Sequence, residues 1–208
     1  MALEYFPLYT AYAPEHDVAR TRDAKQSFKA KAVTYPMSFY QTLAKTGTKY
    51  LGQALLFKHG FNLSPMYRRS TARITEVTED LLHVRIKLPL SYKNSNYVGS
   101  IFGGSLFSAV ATIPMVRHIN LLGDDYVVWD QSAEIAFKRP ARETLYAEFS
   151  YTPEELEGIK ARVAAENEID IVKTTQLVDQ AGDTVFCEVR KTIYVADKAY
   201  YRAKRGRS

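Results

Sequence analysis

Gly103 and Gly104 stand in the run Asn96-Tyr97-Val98-Gly99-Ser100-Ile101-Phe102-Gly103-Gly104-Ser105-Leu106-Phe107-Ser108, just before an apolar segment that ends at Leu122. A glycine pair at a helix start lets a ligand or another backbone come close, and it leaves the first helical amides free. Those amides carry the positive end of the helix dipole, so they can polarise a carbonyl or hold an anion. The plainer reading is a loop feeding a helix. Asn96 is suited to orient a carbonyl or an attacking water, and equally suited to close a turn.

Other side chains near this run could take part. Ser108 and Thr112 lie four residues apart and so share a helix face. They could hold a water, or simply bond to the helix backbone. Phe102 and Phe107 are apolar candidates for contact with a substrate, and side-chain size near Phe107 and Met115 would set pocket depth. Asp130 and Glu134 bring carboxylates on the segment after the helix. Alternation there turns Trp129, Gln131, Ile135 and Phe137 to one side, taken as the helix side, and Asp130 and Glu134 to the other. A bulge would reverse that parity beyond it, so Asp130 remains the best carboxylate candidate and Gln131 a substrate-side one. His118 falls two turns from the glycines and reads as structural. Lys138, Arg139 and Arg142 cluster at a strand end, where they would bind phosphates or remain solvated.

The elements that must position these groups are legible in outline. Residues 1 to about 34 show no sustained period and read as an irregular arm. Pro36 to Phe57 reads as a helix, broken between Asn62 and Pro65. Thr71 to Thr78 and Leu82 to Leu90 read as strands, the second placing Leu82, Val84, Ile86, Leu88 and Leu90 on one face. Ser105 to Leu122 is apolar nearly all round, so it predicts a buried helix, with Gly123 at its C-cap. Strands follow over Tyr126 to Arg139 and Thr144 to Tyr151. A helix opens at Thr152-Pro153-Glu154-Glu155. The last two strands, Glu168 to Val178 and Thr184 to Val195, flank a turn-rich connection and predict a hairpin. A buried helix among one-sided antiparallel strands requires a sheet that wraps round it.

Bulk properties narrow the function classes. The chain has 208 residues, 46% of them hydrophobic and 25% charged, which suits one globular domain with an extension. The net charge of +5 is concentrated in the last eleven residues, which hold Lys198, Arg202, Lys204, Arg205 and Arg207. Without these five of the 28 basic residues, 23 remain against 23 acidic ones, so the body gives no sign of nucleic-acid binding and the end reads as a solvated tail, with attraction to RNA or an anionic surface as the lesser reading. Cys187 is the one cysteine, which leaves no internal disulfide and fits a reducing cytoplasm. No stretch reads as a membrane helix and Met1 to Glu15 does not read as a signal peptide.

Taken in order, three stretches resemble the hot-dog fold family, specifically its phenylacetate-type acyl-CoA thioesterases and a related branch of unknown function. They are the Asn96 to Ser108 run, the segment Trp129-Asp130 through Ile135-Ala136-Phe137-Lys138-Arg139-Pro140-Ala141-Arg142, and the final hairpin. The resemblance spans roughly residues 65 to 197. It implies an α+β hot-dog domain over 65–197, with five or six antiparallel strands around a central helix. Residues 1–64 form an N-terminal arm and helix, and 198–208 a basic tail. It also implies a homodimer, or a tetramer made of two such dimers, hydrolysing an acyl-CoA or acyl-carrier thioester between subunits. No metal, bound cofactor, nucleic acid or membrane enters this reading. In it Gly103 and Gly104 bind the oxyanion.

Two positions depart from the family pattern. The helix acid seven residues after the second glycine is here Ala111, and Phe102 stands where many relatives carry His. The first departure supports an alternative, a non-catalytic acyl-CoA-binding hot-dog protein. A hydratase or dehydratase ranks below both, since such enzymes use a His or an acid pair near the helix.

Overall fold

The computed structural model describes residues 52–206. The arm and most of the expected first helix lie outside the described residues. The order is α1 (Gln53–Leu63), α2 (Pro65–Arg68), β1 (Arg73–Val77), β2 (His83–Leu88), α3 (Gly103–Leu122), β3 (Tyr126–Phe137), β4 (Leu145–Ser150), α4 (Pro153–Glu166), β5 (Glu168–Val178), β6 (Val185–Asp197) and α5 (Lys198–Gly206). All six strands join one antiparallel sheet in the order β1-β2-β4-β5-β6-β3. The sheet curls round α3, which is the hot-dog architecture the resemblance implies.

Alternation builds the concave side of the sheet. Val84, Ile86 and Leu88 of β2 and Leu145, Ala147 and Phe149 of β4 are buried against α3. Further along α3, Leu122 joins α4 and β5 through Leu156, Ile159, Val163, Ile169 and Ile171. Each large side chain removed from water contributes about 1.5–3 kcal/mol, so a helix enclosed this way must be apolar on most faces. α3 has 20 residues and an 18-residue window of mean hydropathy 1.2, long and apolar enough by composition alone to cross a membrane, contrary to the sequence reading. Here the sheet provides its apolar surroundings.

Two regions of this body are left open. α3 shows a face of partly covered or exposed positions, Gly104, Ser108, Thr112, Met115 and Ile119, at helical spacing. Beside it β3 is an edge strand, pairing with β6 on one side and with no described strand on the other. Trp129 and Phe137 on β3 are 54% and 58% exposed.

Two expectations change. α1 continues past Phe57 to Leu63 before Ser64 and Pro65 end it. It is clamped to β1 by Asn62, whose side chain accepts from the Ile74 amide and donates to the Ile74 carbonyl, each at 2.9 Å. The basic end is not a free tail: up to Gly206 it is α5, held to the sheet by Lys204 Nζ to Glu168 at 2.7 Å.

Candidate active site

The glycine run is stapled from both sides. Asn94 is buried and its side chain bonds the Ser91 amide, the Pro89 carbonyl and the Thr71 hydroxyl at 2.7–2.9 Å. The Phe102 amide donates to the Asn94 carbonyl at 2.7 Å, and the Ile101 amide to the Ala141 carbonyl at 2.8 Å. Asn96 closes the tip: its Oδ1 accepts from the Val98 and Ser100 amides at 3.1 and 3.0 Å, and its Nδ2 donates to Ser100 Oγ at 2.9 Å. Gly99 supplies the left-handed turn at φ 74°.

α3 then starts with Phe102 as its N-cap and no side-chain cap. The Ser105 and Leu106 amides bond back to the Phe102 carbonyl at 2.9 and 3.1 Å. The amides of Gly103 and Gly104 have no partner among the described residues. A cavity of about 410 Å³ reaches Gly103 and is also lined by Asn96, Leu106, Phe137, Lys138 and Arg139. The helix start is therefore open, with two free donors and two cationic side chains near its mouth. Close packing explains the glycines as well. A Cβ on Gly103 would come within 2.9 Å of the Phe137 ring, and one on Gly104 within 2.3 Å of the Phe102 ring.

β3 corrects the expected facing of its residues. A bulge lies between Asp130 and Ser132, so Gln131 is the extra residue. Before it, Val128 pairs with Val195 and Asp130 with Ile193; after it, Ala133 pairs with Lys191, Ile135 with Val189 and Phe137 with Cys187. Val195, Ile193, Val189 and Cys187 are all buried in the core, so their cross-strand partners face α3 too. Asp130 thus faces the helix and Trp129 faces away, the reverse of the sequence reading, while Ile135 and Phe137 fall on the helix side as read. The parity reversal lies on the N-terminal side of the bulge.

That facing brings together an ion pair absent from the sequence reading. Lys191, 5% exposed, reaches Asp130 Oδ2 at 2.7 Å and donates to the carbonyl of Ala111. The carboxylate and ammonium therefore sit beside Ala111 on α3. Pro114 lies one turn further on and has no N–H for the Val110 carbonyl, so the helix backbone is already loosened there. A sequence signal for Lys191 exists: it interrupts the inward apolar series Cys187, Val189, Ile193, Val195 of β6.

The other candidates divide. Ser108 Oγ donates to the Gly104 carbonyl at 2.7 Å, so its hydroxyl serves the helix, and Thr112 lies on the same open face. Phe107 packs half-buried against the core. Lys138 and Arg139 line the cavity, whereas Arg142 is exposed and outside its lining, as is Gln131. Among the described residues no group of three or more His, Cys, Asp or Glu is placed to hold a metal ion.

The far end of α3 holds a separate buried cluster. Arg117 donates twice to the Leu81 carbonyl, at 3.0 and 2.6 Å, and stacks 4.3 Å from the Tyr151 ring. His118 Nδ1 lies 2.8 Å from the Pro114 carbonyl, which can only accept, so Nδ1 carries the proton. Burial is the main cause holding His118 well below the usual histidine range, at about 4. It also lowers Arg117 to about 10 and pushes the Tyr151 hydroxyl up.

No curated protein matches the chain. A solved protein of unknown function from Pseudomonas aeruginosa, called a probable thioesterase, is 20% identical with a TM-score of 0.61, the match covering 69% of this chain and 95% of that one. A thioesterase from Haemophilus influenzae is 15% identical with a TM-score of 0.51, covering 69% and 90%. A protein of unknown function from Chlorobaculum tepidum is 14% identical with a TM-score of 0.54, covering 76% and 94%. At such identities the likeness establishes the shared hot-dog fold. Residues 52–195 match the family described as a domain of unknown function (DUF4442). That match spans more than half of the sequence, and the chain belongs to this family.

Proposed function

We propose that the chain is an acyl-thioester hydrolase that works as a homodimer on an acyl-CoA or acyl-carrier thioester. The observation that carries this reading is the pair of free Gly103 and Gly104 amides at a helix start, with a cavity that reaches Gly103. A thioester carbonyl placed there has its oxygen held by donors aimed at the charge that develops on attack. Asp130 is the base. It takes a proton from water as the water oxygen attacks the carbonyl carbon; the C–S bond then breaks, and the carboxyl returns the proton to the leaving thiolate. Lys191 holds the carboxylate in place.

One chain cannot bring these parts together. Ala111, which Lys191 touches, is seven residues beyond Gly104. At about 1.5 Å rise per residue that is about 10 Å along the axis, beyond the reach of one attacking water. The open edge of β3 and the open face of α3 adjoin each other, and joining two copies there covers both. In such a dimer the amides of one subunit face the partner subunit's Asp130.

Incubation with a panel of acyl-CoA esters and detection of free thiol tests the activity. Turnover supports it; absence of thiol with every ester overturns it. Tight binding without turnover would favour the non-catalytic reading, for which the buried apolar Ala111 speaks. Ala133→Arg tests the shared site. Ala133 lies exposed mid-strand on the open edge, so two-fold pairing would bring the new cations together. Sedimentation should show a monomer with thiol release reduced at least about 10-fold; a fully active monomer contradicts a site built across subunits.

Gly104→Ala is expected to leave the fold intact, because Phe102 is 58% exposed and its ring can swing away, and alanine favours helix. The new methyl group stands at the helix start itself and crowds the approach to its amides, so turnover should fall about 10-fold or more, the scale of losing part of an oxyanion site. Melting and thiol-release measurements on the same sample separate the two effects.

A further inference from the structure

The outer face of β3 carries a second cavity, at the end of the strand away from the glycine loop. It has a volume of about 440 Å³ and lies between Val127 and Trp129 on β3 and one stripe of α5. Lys198, Tyr201, Arg202 and Arg205 recur at i, i+3, i+4 and i+7, and all four line it.

Its charge is uncompensated. No carboxylate lines the cavity, and Arg202 and Arg205 make no ion pair with any described residue. Two nearby acids are engaged elsewhere. Glu168 binds Lys204 and the Tyr194 hydroxyl, and Asp197 Oδ1 accepts from the Tyr200 amide at 2.8 Å. Lys198 is turned to the Asp124 carbonyl at 2.6 Å. That leaves two free guanidinium groups, with Arg205 6.0 Å over the Tyr201 ring, facing an indole exposed on the open sheet.

We infer that this groove binds a phosphorylated nucleoside. Its planar base lies against Trp129 and Tyr201, and its phosphate is held by Arg202 and Arg205. Aromatic faces stack any base, and a guanidinium fork matches phosphate oxygens in pairs. The volume falls within the range of small-ligand sites, about 300–1,000 Å³. A free nucleotide and the nucleotide end of a coenzyme A ester share this chemistry. The site does not depend on the thioester reading, and loss of hydrolysis would leave it standing.

Trp129 is the sole tryptophan, so it reports binding directly. Titration of the full chain with adenosine 3′,5′-bisphosphate should quench its fluorescence saturably, and adenosine without phosphate should bind at least 10-fold more weakly. The double variant Arg202→Gln, Arg205→Gln changes exposed residues only, so its melting temperature should hold while affinity falls at least 10-fold. Coenzyme A binding more tightly than the bisphosphate identifies the ester as the source; equal affinity identifies a free nucleotide; both support the site. No saturable quenching, equal binding of adenosine, or unchanged affinity in the double variant overturns it. So does tighter binding to an RNA oligonucleotide or to anionic phospholipid vesicles than to the bisphosphate.

Discussion

Asp130→Asn is expected to lower kcat/KM for thioester hydrolysis by about 100- to 1,000-fold, the range for loss of a positioned general base. The amide keeps the shape of the side chain and can still accept from Lys191, so the fold should be unaffected. Lys191→Met makes the complementary test. The lysine is 5% exposed, so its ammonium is largely removed from water at a cost, whereas the Asp130 side chain is 40% exposed and stays hydrated when its partner is lost. Replacing it by an apolar side chain of similar length should leave the urea midpoint unchanged or higher. Turnover should still fall, by about 10-fold or more, because Asp130 loses its anchor at 2.7 Å. A lysine retained at the expense of stability and needed for rate is a positioning residue. If Lys191→Met unfolds the chain, or Asp130→Asn turns over normally, the pair is structural and the base lies elsewhere.

Why the sequence showed the helix start and not this pair follows from what apolar patterning measures. Alternation reports burial, and it works where a strand is covered on one side only. β2 obeys it through Val84, Ile86 and Leu88, and α3 is legible because enclosure demands apolar residues on most faces. β3 lies at the edge, where large apolar side chains remain exposed. Trp129 therefore marks the outer face, and taking it as inward inverted Asp130. The bulge at Gln131 then brings Ile135 and Phe137 back into the expected phase, so half of the strand fitted the wrong register. Lys191 was legible in principle, as the one charge in an inward apolar series, but only the fold shows which carboxylate it meets. The basic end misled for a similar reason. Its composition suits a tail, whereas its Lys204 and Tyr200 contacts depend on Glu168 and Asp197, and Glu168 lies 36 residues from Lys204.

Between pH 7 and pH 5 the wild-type chain should lose about 2 kcal/mol of unfolding free energy through His118. The folded imidazole titrates at about 4, chiefly because burial disfavours its charged form, with Lys173 and Arg117 adding repulsion against the opposing pull of the Pro114 carbonyl. In the unfolded chain the value returns to about 6.5. Between these two values the unfolded state binds more protons. The stability is thus fully present above about pH 6.5 and drains away as pH falls toward 4. Carboxylates held low by their partners, such as Glu168 beside Lys204 and Asp80 beside Thr78, contribute only at more acid pH, because their unfolded values are near 4. Urea unfolding at the two pH values should show the loss in the wild type and little of it in His118→Asn, whatever the variant's absolute stability. An equal slope in both chains would place the titration on another group. The same protonation would set a second cation beside Arg117, already fixed on the Leu81 carbonyl, so acid should loosen the C-terminal turn of α3 before its glycine-marked start.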